Sequence, residues 1–276
     1  MLPEITILGH ALRLYDLCGY LGYLSVPIIM FCLRKRYGFS IAKTIFCAVV
    51  TLICGVIAHY GTAAIENKVM EIVTDGAFEP FETMSSFGFW VFIAPIFLLV
   101  CLRFSLDYRS ITDIIAPCLC VVTSLGKFAC FFNGCCAGPQ DIRGIYMVQL
   151  GYKCFPIQLY EALFYFAFFI IILVLTFTFS KKHIGYLMPI SGMLYSVVKI
   201  WAENYRTWPS EFEQNFLYTG HTYWQFFLLI TFYGCLIWLI ATYILEKKGK
   251  QPDFVDNNTL RRKWHNRLQR FEEKIK

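Results

Sequence analysis

Two lysines stand inside long apolar runs, Lys127 in S-L-G-K-F-A-C-F-F-N and Lys199 in S-V-V-K-I-W-A-E. A charge among apolar neighbours is expensive, and where such a run crosses a membrane its ionisable residue is by default part of a site. Polar partners lie near both. Glu203 follows Lys199 by four residues, the spacing of a same-face ion pair on a helix, and Arg206 comes just after it. Asn133 and Gly134 close the run that holds Lys127. Gln158, Tyr160 and Glu161 open the next run, Tyr15 and Asp16 the first, and Gln225 the last.

Two cations in a shared polar cavity suit an anionic ligand, and the abundant anion at the edge of a bilayer is a phospholipid phosphate. Lysine meets phosphate as a point charge, and a pair of them can hold a lipid phosphate or stabilise it as a leaving group. On this reading Asn133 and Tyr15 fix ester and glycerol oxygens, and Arg206 stands near the mouth. Glu203 orients Lys199 or accepts a proton. Glu161 caps its run, with the role of base as its alternative. Snorkelling to the headgroups would account for one lysine; two at one depth, with carboxylates and amides beside them, point to a common cavity.

The elements that must position these residues are membrane spans. Of 276 residues 57% are hydrophobic and only 16% charged, against roughly a quarter charged in soluble domains. Seven apolar runs, about 12–33, 39–59, 86–103, 110–132, 157–180, 184–204 and 222–245, are long enough or nearly so to cross a ~30 Å core. The expected fold is therefore an all-α, polytopic membrane protein of seven helices. Pro3 and Glu4, with no basic stretch before the first run, predict that this run is retained rather than cleaved as a signal peptide.

Basic residues follow alternate runs: Arg34, Lys35 and Arg36, then Arg103 and Arg109, then Lys181 and Lys182. The positive-inside rule places the N-terminus outside and the C-terminus in the cytoplasm. That orientation puts Lys127 and Lys199 roughly 23–25 Å from the inner boundary, in the same outer layer. Ile65, Val69, Ile72 and Val73 share a face and predict a short interfacial helix near 64–74 on the outer surface. Residues 1–246 then form the transmembrane domain and 247–276 a basic amphipathic cytoplasmic tail. Ten of the 25 basic residues lie in that tail, a membrane-surface pattern and not a nucleic-acid one.

Eight of the twelve cysteines fall in apolar runs as small hydrophobes. Cys130, Cys135, Cys136 and Cys154 instead gather around one turn, where a structural disulfide such as Cys154 to Cys135 or Cys136 is expected. A thiol–disulfide protein is the rival functional class, although the chain has no C-x-x-C.

D-I-I-A-P at Asp113–Pro117 followed by G-K-F-A-C-F-F-N-G-C-C-A-G at Gly126–Gly138 resembles the signature of the prolipoprotein diacylglyceryl transferase family, D-x-x-A-P then G-R-x-G-N-F-x-N-G-E-x-x-G. Pro156, Gln158, Leu159, Tyr160, Glu161 and Ala162 resemble its H-P-x-Q-L-Y-E-A segment. Tyr195, Glu203 and Arg206 match Y-G-x-x-R-F-x-x-E-x-x-R, and Tyr15 with Leu17 its Y-G-L. The resemblance implies transfer of a diacylglyceryl group from phosphatidylglycerol to the lipobox cysteine of a prolipoprotein, at the bacterial plasma membrane, with no cofactor or metal. Lys127 and Lys199 stand where the pattern has arginine, Cys130 and Cys135 where it has Asn and Glu, and Phe155 where it has His. The alternative is a divergent member that binds a phospholipid phosphate, of phosphatidylglycerol or another anionic phospholipid, and acts on another acceptor or has lost catalysis.

Overall fold

A computed structural model of the chain describes residues 4–7, 10–73, 101, 107–179, 183–206 and 222–248. The order of elements is β1 (Glu4–Ile7), β2 (His10–Arg13), α1 (Leu14–Leu33), α2 (Ile41–Val73), α3 (Tyr108–Asn133), β3 (Gln140–Met147), β4 (Tyr152–Cys154), α4 (Ile157–Thr178), α5 (Leu187–Glu203) and α6 (Tyr223–Lys247). The chain is mostly helical. Among the described residues five helical stretches are long and apolar enough to cross a membrane: Leu14–Leu33, Ile41–Ala58, Tyr108–Asn133, Ile157–Thr178 and Trp224–Lys247. The protein is thus a multi-pass membrane protein. The expected run at 86–103 and nearly all of the basic tail lie outside the described residues.

Helix α3 is the axis of the bundle. Every residue from Ser110 to Cys120 is buried, and its polar members Ser110, Thr112 and Asp113 are each hydrogen-bonded, as buried polar groups must be. It packs against α1, α4 and α5, while α6 lies on α5 and α2 on α1. In α1 the buried residues Cys18, Gly22, Val26, Met30 and Leu33 recur every three to four positions, forming the stripe toward α3. The outer faces are apolar instead: Leu24 and Ile28 on α1, Phe166 and Val174 on α4, Ile237 and Ile240 on α6 are all exposed. A helix apolar on its core face and its exposed face alike is matched to lipid rather than water.

Both ends of α3 are defined locally. Asp107 caps the start, accepting from the backbone N–H groups of Arg109 (3.3 Å) and Ser110 (3.1 Å). Gly134 ends the helix in the left-handed conformation at φ 73°, donating its N–H to the Phe131 carbonyl. Pro117 sits inside the helix. Asp113 sets the level of α5: buried, it accepts from Gly185 N–H (2.7 Å) and Leu187 N–H (3.0 Å). Those are orphan donors at the start of α5, whose own N-cap Tyr186 supplies no side-chain bond. At Gly192 an added Cβ would meet Cys235 Sγ at 2.5 Å, so a larger residue there would have to turn the Cys235 side chain away from the close approach of α5 and α6.

Two features differ from the all-α expectation. β1 pairs antiparallel with β2 ahead of α1, and β3 with β4 between α3 and α4. These hairpins pair backbone groups of segments that lie outside the helices. Residues 64–73, read from sequence as a separate interfacial helix, continue α2 without interruption as far as Val73.

Candidate functional site

The Asp113 cap and the helical rise together explain why two distant lysines meet. α3 and α5 start from the same contact and run in the same direction. Lys127 lies fourteen residues beyond Asp113, and Lys199 twelve beyond Leu187, or about 21 and 18 Å along the two axes. α4 is locked to α3 at that level by the Ser124 hydroxyl, which donates to the Ala162 carbonyl at 2.8 Å. The residue before Ala162 is Glu161, which is thereby delivered to the Lys127 layer.

Five charged side chains converge there. Glu161 pairs with Lys127 Nζ at 3.0 Å through Oε2, with Lys199 Nζ at 3.4 Å through Oε1 and with Arg206 at 3.0 Å through Oε2. Glu203 pairs through Oε1 with Lys199 at 2.9 Å and Arg206 at 3.0 Å. Glu161 is 0% exposed, Glu203 1%, Lys199 4% and Lys127 5%, and the Arg206 side chain 11%. Three cations face two carboxylates, so one positive charge is left over. Removing charges from water is tolerated only when they are paired this fully.

Unpaired polar atoms surround the network. Glu203 Oε2, Arg206 Nε, Gln158 Oε1 and the Tyr165 hydroxyl are buried without a hydrogen-bond partner among the described residues. Each such atom costs roughly 1–3 kcal/mol if it stays unmatched. They are available to a polar headgroup.

The residues singled out in the sequence divide by position. Lys127, Lys199, Glu203 and Arg206 are brought together. Glu161 joins them as the hub and does not cap α4, whose N-cap is Pro156 with no side-chain bond. Gln158 is fully buried next to the network and donates its amide to the Cys135 carbonyl at 2.7 Å. Tyr195 is buried deeper, its ring stacked on Tyr165 at 5.5 Å. Tyr160 is half-exposed and stacks on Phe155 at 5.2 Å. Tyr15 and Asn133 stand at the rim beside the Cys130–Cys135–Cys136 turn, and Gly134 forms its left-handed corner. Gln225 caps α6 in a capping box with Thr222 and donates to Asn204 at 2.8 Å, rather than entering the network.

One participant was missed from sequence, Tyr165. A hydroxyl one turn from a named site residue was the available signal: Tyr165 is four residues after Glu161.

All twelve cysteines are free thiols, so the expected disulfide from Cys154 to Cys135 or Cys136 is not formed. Cys154 is buried in β4. Hydrogen bonds from the Cys130 and Cys135 thiols, with the charges of Arg206 and Lys127, hold the exposed Cys136 thiol well below the ordinary thiol range.

The sequence model of the prolipoprotein diacylglyceryl transferase family matches residues 3–242, nearly the whole chain. The chain belongs to this family. Among curated proteins, none matches it. Family membership supports a prolipoprotein diacylglyceryl transferase-type function in a membrane. The matched span runs from β1 into α6, so it includes every one of the five charged residues.

Proposed function

We propose that the protein transfers the diacylglyceryl group of phosphatidylglycerol to the lipobox cysteine of prolipoproteins at the bacterial plasma membrane. The observation that carries this reading is the buried network of Lys127, Lys199, Arg206, Glu161 and Glu203 with its surplus of one positive charge. The phosphodiester of phosphatidylglycerol carries one negative charge, which that surplus offsets.

In the reaction the lipobox sulfur attacks the glyceryl carbon that bears the phosphate. A C–S bond forms, the C–O bond breaks, and the electron pair leaves with glycerol phosphate, which becomes a monoester and gains negative charge. Cations already in place stabilise that developing charge without reorganisation. The thiol proton passes to Glu203, whose Oε2 holds neither an ion pair nor a hydrogen bond among the described residues. Glu161, engaged by three cations, positions them. Tyr15 and Asn133 at the rim, with Tyr160 and Gln158, contact the glyceryl and ester oxygens, and Tyr195 supports the Tyr165 ring beneath. Seven spans, an outer N-terminus and a basic cytoplasmic tail at 247–276 complete the proposed topology, with the network facing the outer leaflet.

The test is transfer of labelled diacylglyceryl from phosphatidylglycerol to a lipobox peptide by the purified full-length protein. The wild type transfers label and the Lys127→Ala, Lys199→Ala double variant does not. Equal label from both proteins overturns the proposal.

A further inference from the structure

Outside the ion-pair network, three thiols converge where α3 ends. Cys130 belongs to its last turn, and Cys135 and Cys136 to the turn after Gly134. Their Sγ atoms all lie within 4.8 Å of one another. We propose that Cys130, Cys135 and Cys136 form a binding site for a thiophilic divalent d10 ion of the zinc class.

The geometry is near that of a formed site. Zinc–sulfur bonds of about 2.3 Å in a tetrahedron place ligand sulfurs roughly 3.8 Å apart, so closure asks for about an ångström of side-chain movement. Cys136 is exposed at the surface of the turn and can supply it by rotation. Three protein ligands leave a fourth position toward the exposed side.

The backbone is a second, independent observation. Among the described residues Cys136 is the one non-glycine residue with positive φ, at 58°. Glycine or asparagine takes this conformation at least cost. A cysteine held there keeps its sulfur turned onto the other two, and strained backbone of this kind gathers at sites that bind.

Ligand softness and charge choose the ion. An all-sulfur set favours zinc-class or cuprous ions over magnesium or calcium. Three thiolates around a divalent ion carry one net negative charge, around a monovalent ion two. Cys130 and Cys136 lie within electrostatic reach of Lys127, and Cys136 also of Arg206. The network those two belong to has one positive charge in surplus, which the divalent centre offsets. A loaded centre therefore competes with a phosphodiester for the same charge without sharing its ligands.

The experiment is titration of the reduced, full-length protein in detergent with Cd2+, reading the sulfur-to-metal charge-transfer band and the bound stoichiometry by dialysis. The expected result is one tightly bound ion with the band intensity of three thiolates, the band being reduced when the protein is first loaded with Zn2+ in excess. Cys136→Gly removes the strained side chain, so this variant retains or gains thermal stability while losing the tight site. Cys130→Ala loses it as well, and Cys32→Ser keeps it. The proposal is overturned if wild type takes up no ion tightly, or if Cys136→Gly binds Cd2+ as wild type does. Because the readout is metal uptake, it stands or fails independently of diacylglyceryl transfer.

Discussion

Two buried carboxylates mark the two levels of α3's surroundings, and they are satisfied in opposite ways. Asp113 accepts from two backbone N–H groups at the start of α5 and forms no ion pair among the described residues. Glu161, about 21 Å further along the bundle axis, is held by three cationic side chains from α3, α5 and the residues just after α5. Backbone donors cannot be exchanged or redirected, so Asp113 acts as a joint. Side-chain cations can trade a carboxylate for a ligand's phosphate, so Glu161 belongs to a site. Burial alone separates neither role from the other; the identity of the partners does.

The comparison breaks most sharply at Glu161. Glu161→Gln leaves three buried cations facing one carboxylate. Removing one partner of a buried pair costs on the order of 3–5 kcal/mol. Thermal unfolding in detergent should fall accordingly and transfer should vanish. Asp113→Asn keeps an acceptor oxygen for one of the two N–H groups. It should cost roughly 1–3 kcal/mol in the same unfolding measurement and leave transfer in place.

A smaller effect is expected at the corner that follows α3. Gly134 has φ 73°, and an added Cβ would stand 3.2 Å from Gln149 Cβ. Gly134→Ala should cost about 1–2 kcal/mol from the left-handed backbone, read as a lowered unfolding temperature. Smaller still is a reactivity difference. Hydrogen bonds from the neighbouring thiols, with the charges of Arg206 and Lys127, lower the pKa of the Cys136 thiol, which raises its thiolate fraction at a given pH. Its alkylation by iodoacetamide should exceed that of Cys32, and should slow only when the pH is lowered through the depressed value. Equal rates for the two cysteines would contradict that assignment.

Much of the Lys127–Lys199 layer was legible because depth can be counted. Lys127 and Lys199 each lie a fixed number of residues from a run boundary, and helical rise converts that number into a common layer. Glu203 was legible through its i,i+4 spacing to Lys199. Glu161 was misread as a cap because its three partners come from separate segments, and no local spacing records that convergence. Asp113 was seen only as part of a signature. Its contacts with Gly185 and Leu187 span more than seventy residues, beyond any periodicity. The hairpin of Gln140–Met147 with Tyr152–Cys154 was missed for a related reason: its burial does not alternate cleanly, and its register is broken between Gln140 and Ile145.

The central claim is that the Glu161 layer, and not burial of charge in general, supports the chemistry. The direct measurement is diacylglyceryl transfer from phosphatidylglycerol to a lipobox peptide by Lys127→Met and Asp113→Asn proteins, each first shown to be folded by its thermal transition. The account predicts loss of transfer in Lys127→Met and near-wild-type transfer in Asp113→Asn. Transfer that survives in Lys127→Met, or falls equally in both folded variants, would contradict it.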